Sequence, residues 1–108
     1  MNNNIVPESL NTWVFAYEKI GENEYEFYLR DLPIKRLRIK AIKNINFGFY
    51  EAVTNYAIKS NIYHYAAHIP SGKSEDPICA VIMALTKFLL HDRVYELIEN
   101  LTYPGIRS

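Results

Sequence analysis

Ile34–Ile42 reads IKRLRIKAI, and whether these residues form a strand or a helix decides the rest of the fold. Leu37, Ile39 and Ala41 alternate with Arg36, Arg38 and Lys40, the period of two expected of a half-buried strand. Ile34, Leu37, Ala41 and Ile45 would also make a helical stripe behind Pro33. The strand is the preferred reading, and the helix stays open at this stage.

Working outward towards the N-terminus, TWVFAYE (residues 12–18) sets Trp13, Phe15 and Tyr17 against Val14, Ala16 and Glu18, an aromatic-rich strand. After the turn-like IGEN, residues 25–30 place Tyr25, Phe27 and Leu29 opposite Glu26, Tyr28 and Arg30, giving an antiparallel hairpin that Asp31-Leu32-Pro33 stops. In the other direction, Phe49, Val53, Tyr56 and Ala57 fall at helical spacing, so residues 49–59 read as a short helix with Asn46 as cap. IYHYAAHI (62–69) alternates again as a strand, which Pro70-Ser71-Gly72 ends. Asp76-Pro77 is a good cap and first-turn pair for a long apolar helix running to Leu101, with Asp92 a candidate break. Being apolar on every side for two turns, this helix needs cover from the 49–59 helix, from its own far half or from a second copy of the chain in a homodimer. The expected fold is a single α+β domain over residues 1–108, order ββ(β)αβα. It has an antiparallel sheet of three to four strands packed by a short helix and a long C-terminal helix, and residues 1–10 are a flexible lead-in.

The 108 residues suffice for one core and not for two lobes, and a composition of 49% apolar and 22% charged residues is that of a folded domain. Neither a secretory signal nor an apolar run near the roughly 20 residues of a membrane span is present, so a soluble cytoplasmic protein without membrane contact is expected. Cys79 is the sole cysteine and excludes an intrachain disulfide. Net charge is zero but uneven: residues 34–73 carry seven bases and one acid, whereas the flanks are acidic. The abundance of Ile and Asn fits AT-rich coding sequence, as in a low-GC bacterium or its mobile elements.

Four motifs invite chemical readings. Gly72-Lys73-Ser74 finishes a phosphate-binding loop, but Ala67 stands where its first glycine belongs, and Glu75 and Asp76 would repel phosphate at the helix start. The reading is a strand-to-helix turn, with no nucleotide and no other cofactor. INFGFYEA (45–52) is similar to the base-stacking octapeptide of RNA-recognition domains at Phe47, Gly48 and Phe49, but departs from it at Ile45, Asn46 and Ala52. It reads instead as a turn into a helix. His64 and His68 on a strand lie about 13 Å apart, too far to share a metal ion. Cys79, in the most apolar stretch, reads as a core filler, although His68 or His91 could approach it.

The fourth motif is the basic run itself. The run holds Lys35, Arg36, Arg38, Lys40 and Lys43, and on a strand Arg36, Arg38 and Lys40 form a row of positive charge that is either a solvated face, neutralised across the sheet by Glu24 and Glu26, or part of a binding surface. Tyr28, Tyr63 and Tyr65 are the candidate aromatic anchors beside it, and catalytic residues are not expected.

Tyr65, Ala67, Pro77, Ala80, Val81 and Ala84, about residues 62–90, resemble the strand, loop and Pro-led apolar helix of small phage-encoded accessory proteins with an ABA-sandwich domain, with Tyr where that family often has Trp. The resemblance implies a phage or mobile-element context. Joined to the basic run, it leads to the expectation of a non-catalytic protein-interaction module that binds and inhibits a host protein complex with an acidic surface. A nucleic-acid-binding regulator using residues 35–43 is the alternative.

Overall fold

The computed structural model describes residues 5–60, 67–90 and 95–106. These form β1 (Val14–Gly21), β2 (Glu24–Leu29), β3 (Arg36–Asn44), β4 (Phe49–Thr54), β5 (Tyr56–Ser60), β6 (Ser71–Ser74), α1 (Pro77–Leu89) and β7 (Tyr95–Glu99). One sheet has the strand order β1-β2-β3-β4-β6, and β5 and β7 make a second, two-stranded sheet. Every pairing is antiparallel, so the fold is α+β as expected, with more strands and less helix.

Register answers the question posed by IKRLRIKAI. β3 lies between β2 and β4 with Phe27 opposite Leu37, Tyr25 opposite Ile39 and Ala41 opposite Ala52. Leu37, Ile39 and Ala41 are buried, and the intervening bases line the other face of the sheet.

Three expectations are corrected. Residues 49–59, expected as a helix, are β4 and β5. Their β-branched and aromatic side chains suit a pleated surface, and six residues of pairing with β3 outweigh the helical spacing. Asn55 makes the break between the two strands: its N–H donates to the Arg38 carbonyl and its Oδ1 accepts from the Arg38 N–H, both at 2.9 Å. Asn46 is no helix cap. The β3–β4 turn is built by Asn44, whose Oδ1 accepts from the N–H groups of Asn46 and Phe47, and is closed by Gly48 at φ 74°.

Second, Ser71 and Gly72, read as part of a strand stop, begin a strand of their own, since Ser71–Ser74 is β6, paired with β4. α1 rests directly on it: a Cβ at Gly72 would collide with the Ala80 carbonyl oxygen and stand 2.6 Å from Met83 Cβ. This close approach is why a glycine precedes Lys73. Of the expected 62–69 strand, residues 61–66 lie outside the described residues, while His68 pairs through its backbone with Ile58.

Third, the C-terminal helix stops at Leu89 instead of reaching Leu101, and residues 95–99 form β7, which pairs along the whole of β5. Asp76 caps α1 as expected, its Oδ1 accepting from the Ile78 N–H at 3.0 Å with Pro77 in the first turn. The helix is covered on one side: Ala80, Val81, Ala84, Leu85, Phe88 and Leu89 face the sheet, while Ile78, Cys79 and Met83 are exposed. Cys79 is therefore a surface thiol and no core filler, because its position on the helix points away from the buried stripe.

The core lies between α1 and the sheet, centred on Phe27, Leu37, Ile39, Leu85 and Phe88. In the N-terminal segment, expected as a flexible lead-in, Val6 and Leu10 pack into it. No helix among the described residues is long and apolar enough to cross a membrane.

Candidate interaction surface

The face of the sheet opposite α1 carries the polar side chains of β1, β2 and β3, with two acids facing each other across β1 and β2 and acids facing bases across β2 and β3. Glu18 stands opposite Glu26, Glu26 opposite Arg38, Glu24 opposite Lys40 and Tyr28 opposite Arg36. Arg38 Nε meets Glu26 Oε2 at 3.0 Å, with side chains only 11% and 7% exposed. Arg38 also donates to the Ile106 carbonyl at 3.4 Å. Its charge is engaged inside the protein.

The C-terminal segment crosses this face and closes it over Glu24. That carboxylate, 1% exposed, accepts from the Tyr103 hydroxyl at 2.9 Å and from the Ile106 N–H at 2.7 Å. Gly105 lies so close that a Cβ there would strike Glu24 Oε2. Asn100 anchors the segment from its other end, donating through Nδ2 to the Thr54 carbonyl and accepting from Thr102. Burial together with the bond to Glu24 pushes the Tyr103 phenol well above the usual tyrosine range.

At the start of β3 the same face is open. A register shift between Val14 and Ala16 places Val14 in the core and leaves Phe15, at 58% exposure, beside Tyr28, with ring centroids 6.3 Å apart. Arg30 Cζ stands 5.3 Å from the Phe15 ring centroid and Arg36 Cζ 5.7 Å from that of Tyr28. The Tyr28 hydroxyl is shared between Glu18 and Glu26, 3.1 Å from each, which fixes the ring and holds its ionisation above the ordinary value. The result is a preset cluster of two rings and two guanidinium groups that offers cation–π contacts and forked donors to carboxylates.

The structure thus sorts the sequence-derived site residues. Tyr28 and Arg36 come together, with exposed Lys35 next to them in the chain. Arg38 is turned into the Glu26 pair, Lys40 stands half-buried opposite Glu24, and exposed Lys43 lies at the far end of β3. Tyr63 and Tyr65, like His64 and His91, lie outside the described residues. Phe15 and Arg30 are the members that sequence reasoning missed. Arg30 had been placed on the Tyr28 face, but strict alternation put Phe15 with Tyr17, and a bulge has no signature in these residues.

The other chemical readings resolve locally. Cys79 Sγ lies 3.4 Å from Asp76 Oδ2, and that hydrogen bond, followed by burial and the carboxylate charge, raises the thiol above its ordinary value. The shift favours the less nucleophilic protonated form. Among the described residues no three His, Cys, Asp or Glu side chains are grouped to hold a metal ion. No family model, curated protein or solved structure matches the chain.

Proposed function

We propose that this chain is a non-catalytic, cytoplasmic protein-interaction module that docks through Phe15, Tyr28, Arg30 and Arg36 onto a partner protein presenting carboxylates. The observation that carries the reading is the exposed cation–aromatic cluster: an outward phenylalanine under one arginine, beside a tyrosine under another. Arginine and tyrosine are the residue types that dominate binding energy at protein interfaces, and here Tyr28 is already immobilised by Glu18 and Glu26. In the phage or mobile-element setting, such a surface acts by occupying an acidic patch of a host complex, with no bond made or broken.

The test is charge reversal at exposed positions. Arg30→Glu combined with Arg36→Glu should leave the thermal melt within a few degrees of wild type and abolish recovery of the partner in a pull-down. Undiminished recovery by the folded double variant would place the binding surface elsewhere.

A further inference from the structure

β4 leaves the sheet before β3 runs out. The last residue pair between them is Ile39 with Thr54, whereas β3 begins at Arg36. Asn55 closes the ladder at the next position. Its N–H donates to the Arg38 carbonyl and its side-chain Oδ1 accepts from the Arg38 N–H, as a strand carbonyl would. The chain then turns away as β5 into the other sheet.

Arg36 is left with one bare edge. Because the Leu29 N–H donates to the Lys35 carbonyl, the pair of Arg36 with Tyr28 is of the kind that makes no main-chain bonds of its own. The Arg36 N–H and C=O point, like those of Arg38, towards the line of β4, and the described residues supply no hydrogen bond to them. A cavity of about 370 Å³ opens there, between the start of β3 and the Asn55 break, with Ile34 and Tyr56 among its walls. Of the charged groups lining it, Glu26 and Arg38 neutralise each other at 3.0 Å, which leaves Lys35 and Arg36 to set the potential.

We propose that this gap receives an extended acidic segment of the partner protein, which adds to β3 at Arg36 as a short antiparallel strand. One partner residue exchanges both main-chain hydrogen bonds with Arg36, and its side chain then lies on the same face as the Arg36 guanidinium. Glutamate suits that position, since Lys35 and Arg36 are exposed and form no ion pair among the described residues. Its two neighbours point to the core side of the sheet, where half-buried Ile34 and Tyr56 favour apolar side chains. A free anion or a nucleic acid would meet the two bases but could not continue a β ladder. The inference rests on the docking reading for the sign of the partner's charge, and adds the conformation in which the partner is held.

The test is a nitrogen–proton NMR titration of the whole chain with the acetylated and amidated peptide Thr-Val-Glu-Val-Thr. The Arg36 amide should shift and its hydrogen exchange should slow. The same peptide N-methylated at glutamate cannot donate to the Arg36 carbonyl and should bind about tenfold more weakly. Glutamine in place of glutamate should weaken binding about threefold at low salt. An Arg36 amide that does not respond, or equal binding by the N-methylated peptide, would overturn the strand addition; the protein is unaltered in each arm, so its folding is not in question. The two readings fail separately. An unresponsive Arg36 amide overturns the strand addition even where the Arg30→Glu, Arg36→Glu variant loses its partner, whereas a responsive amide supports it even where that pull-down is undiminished.

Discussion

Tyr103 and Glu24 form the contact on which the closed part of the open face depends. Glu24 is buried, and among the described residues its two hydrogen bonds come from the C-terminal segment. Tyr103→Phe leaves the carboxylate one donor short and should cost about 1.5–3 kcal/mol in urea unfolding at neutral pH. The sign of its pH dependence follows from the raised phenol. The folded state keeps Tyr103 neutral while the unfolded chain ionises near the ordinary value of 10.0, so this stabilisation is full below that pH and declines above it. The variant should lose less stability than wild type between neutral pH and about 11; parallel losses would contradict the assignment. Cys79 offers a second check. Asp76→Asn keeps a capping side chain but removes the charge beside the thiol, so alkylation by iodoacetamide should accelerate and its pH midpoint should fall. An unchanged midpoint would mean that Asp76 does not hold the proton.

At the scale of elements, α1 and β6 meet through backbone because Gly72 has no side chain. Gly72→Ala should destabilise by about 1–3 kcal/mol, measured by chemical denaturation, because a methyl group there must push the helix off the sheet. A neutral effect would mean that α1 sits farther out. β3 was legible because its alternation is strict and its polar side is charged, so burial and period agree. Residues 49–59 were not, since Phe49, Val53, Tyr56 and Ala57 satisfy a helical period as well as two strands separated by Asn55. Gly72-Lys73-Ser74 looked like a loop because turn-type residues also serve where a helix must approach a strand closely. β7 was hidden for a different reason: its pairing partner β5 lies almost forty residues away, and local pattern carries no trace of it.

For the whole molecule, one sheet face builds the core with α1 and the other is divided along β3. Its middle is neutralised by the Glu26–Arg38 pair and closed by the C-terminal segment, its start presents the docking cluster, and its end carries the β3–β4 turn, where exposed Phe47 stacks on Phe49. Alternation along β3 put Arg36, Arg38 and Lys40 on one face of a strand, and register sets Glu26 and Glu24 opposite the last two of them. Sequence alone could not show which bases remain available, since Arg38 is engaged by Glu26 on the neighbouring strand and by the Ile106 carbonyl 68 residues away. The Phe15 position depends on a bulge that breaks the apparent alternation of β1. The most direct measurement is affinity capture from a low-GC bacterial lysate treated with nuclease, comparing wild-type protein with Phe15→Ser and with Phe47→Ala. A defined protein complex retained by wild type and by Phe47→Ala, and lost with Phe15→Ser, is the predicted result. Equal retention by Phe15→Ser, or recovery that nuclease abolishes, would contradict a protein-docking role for this surface.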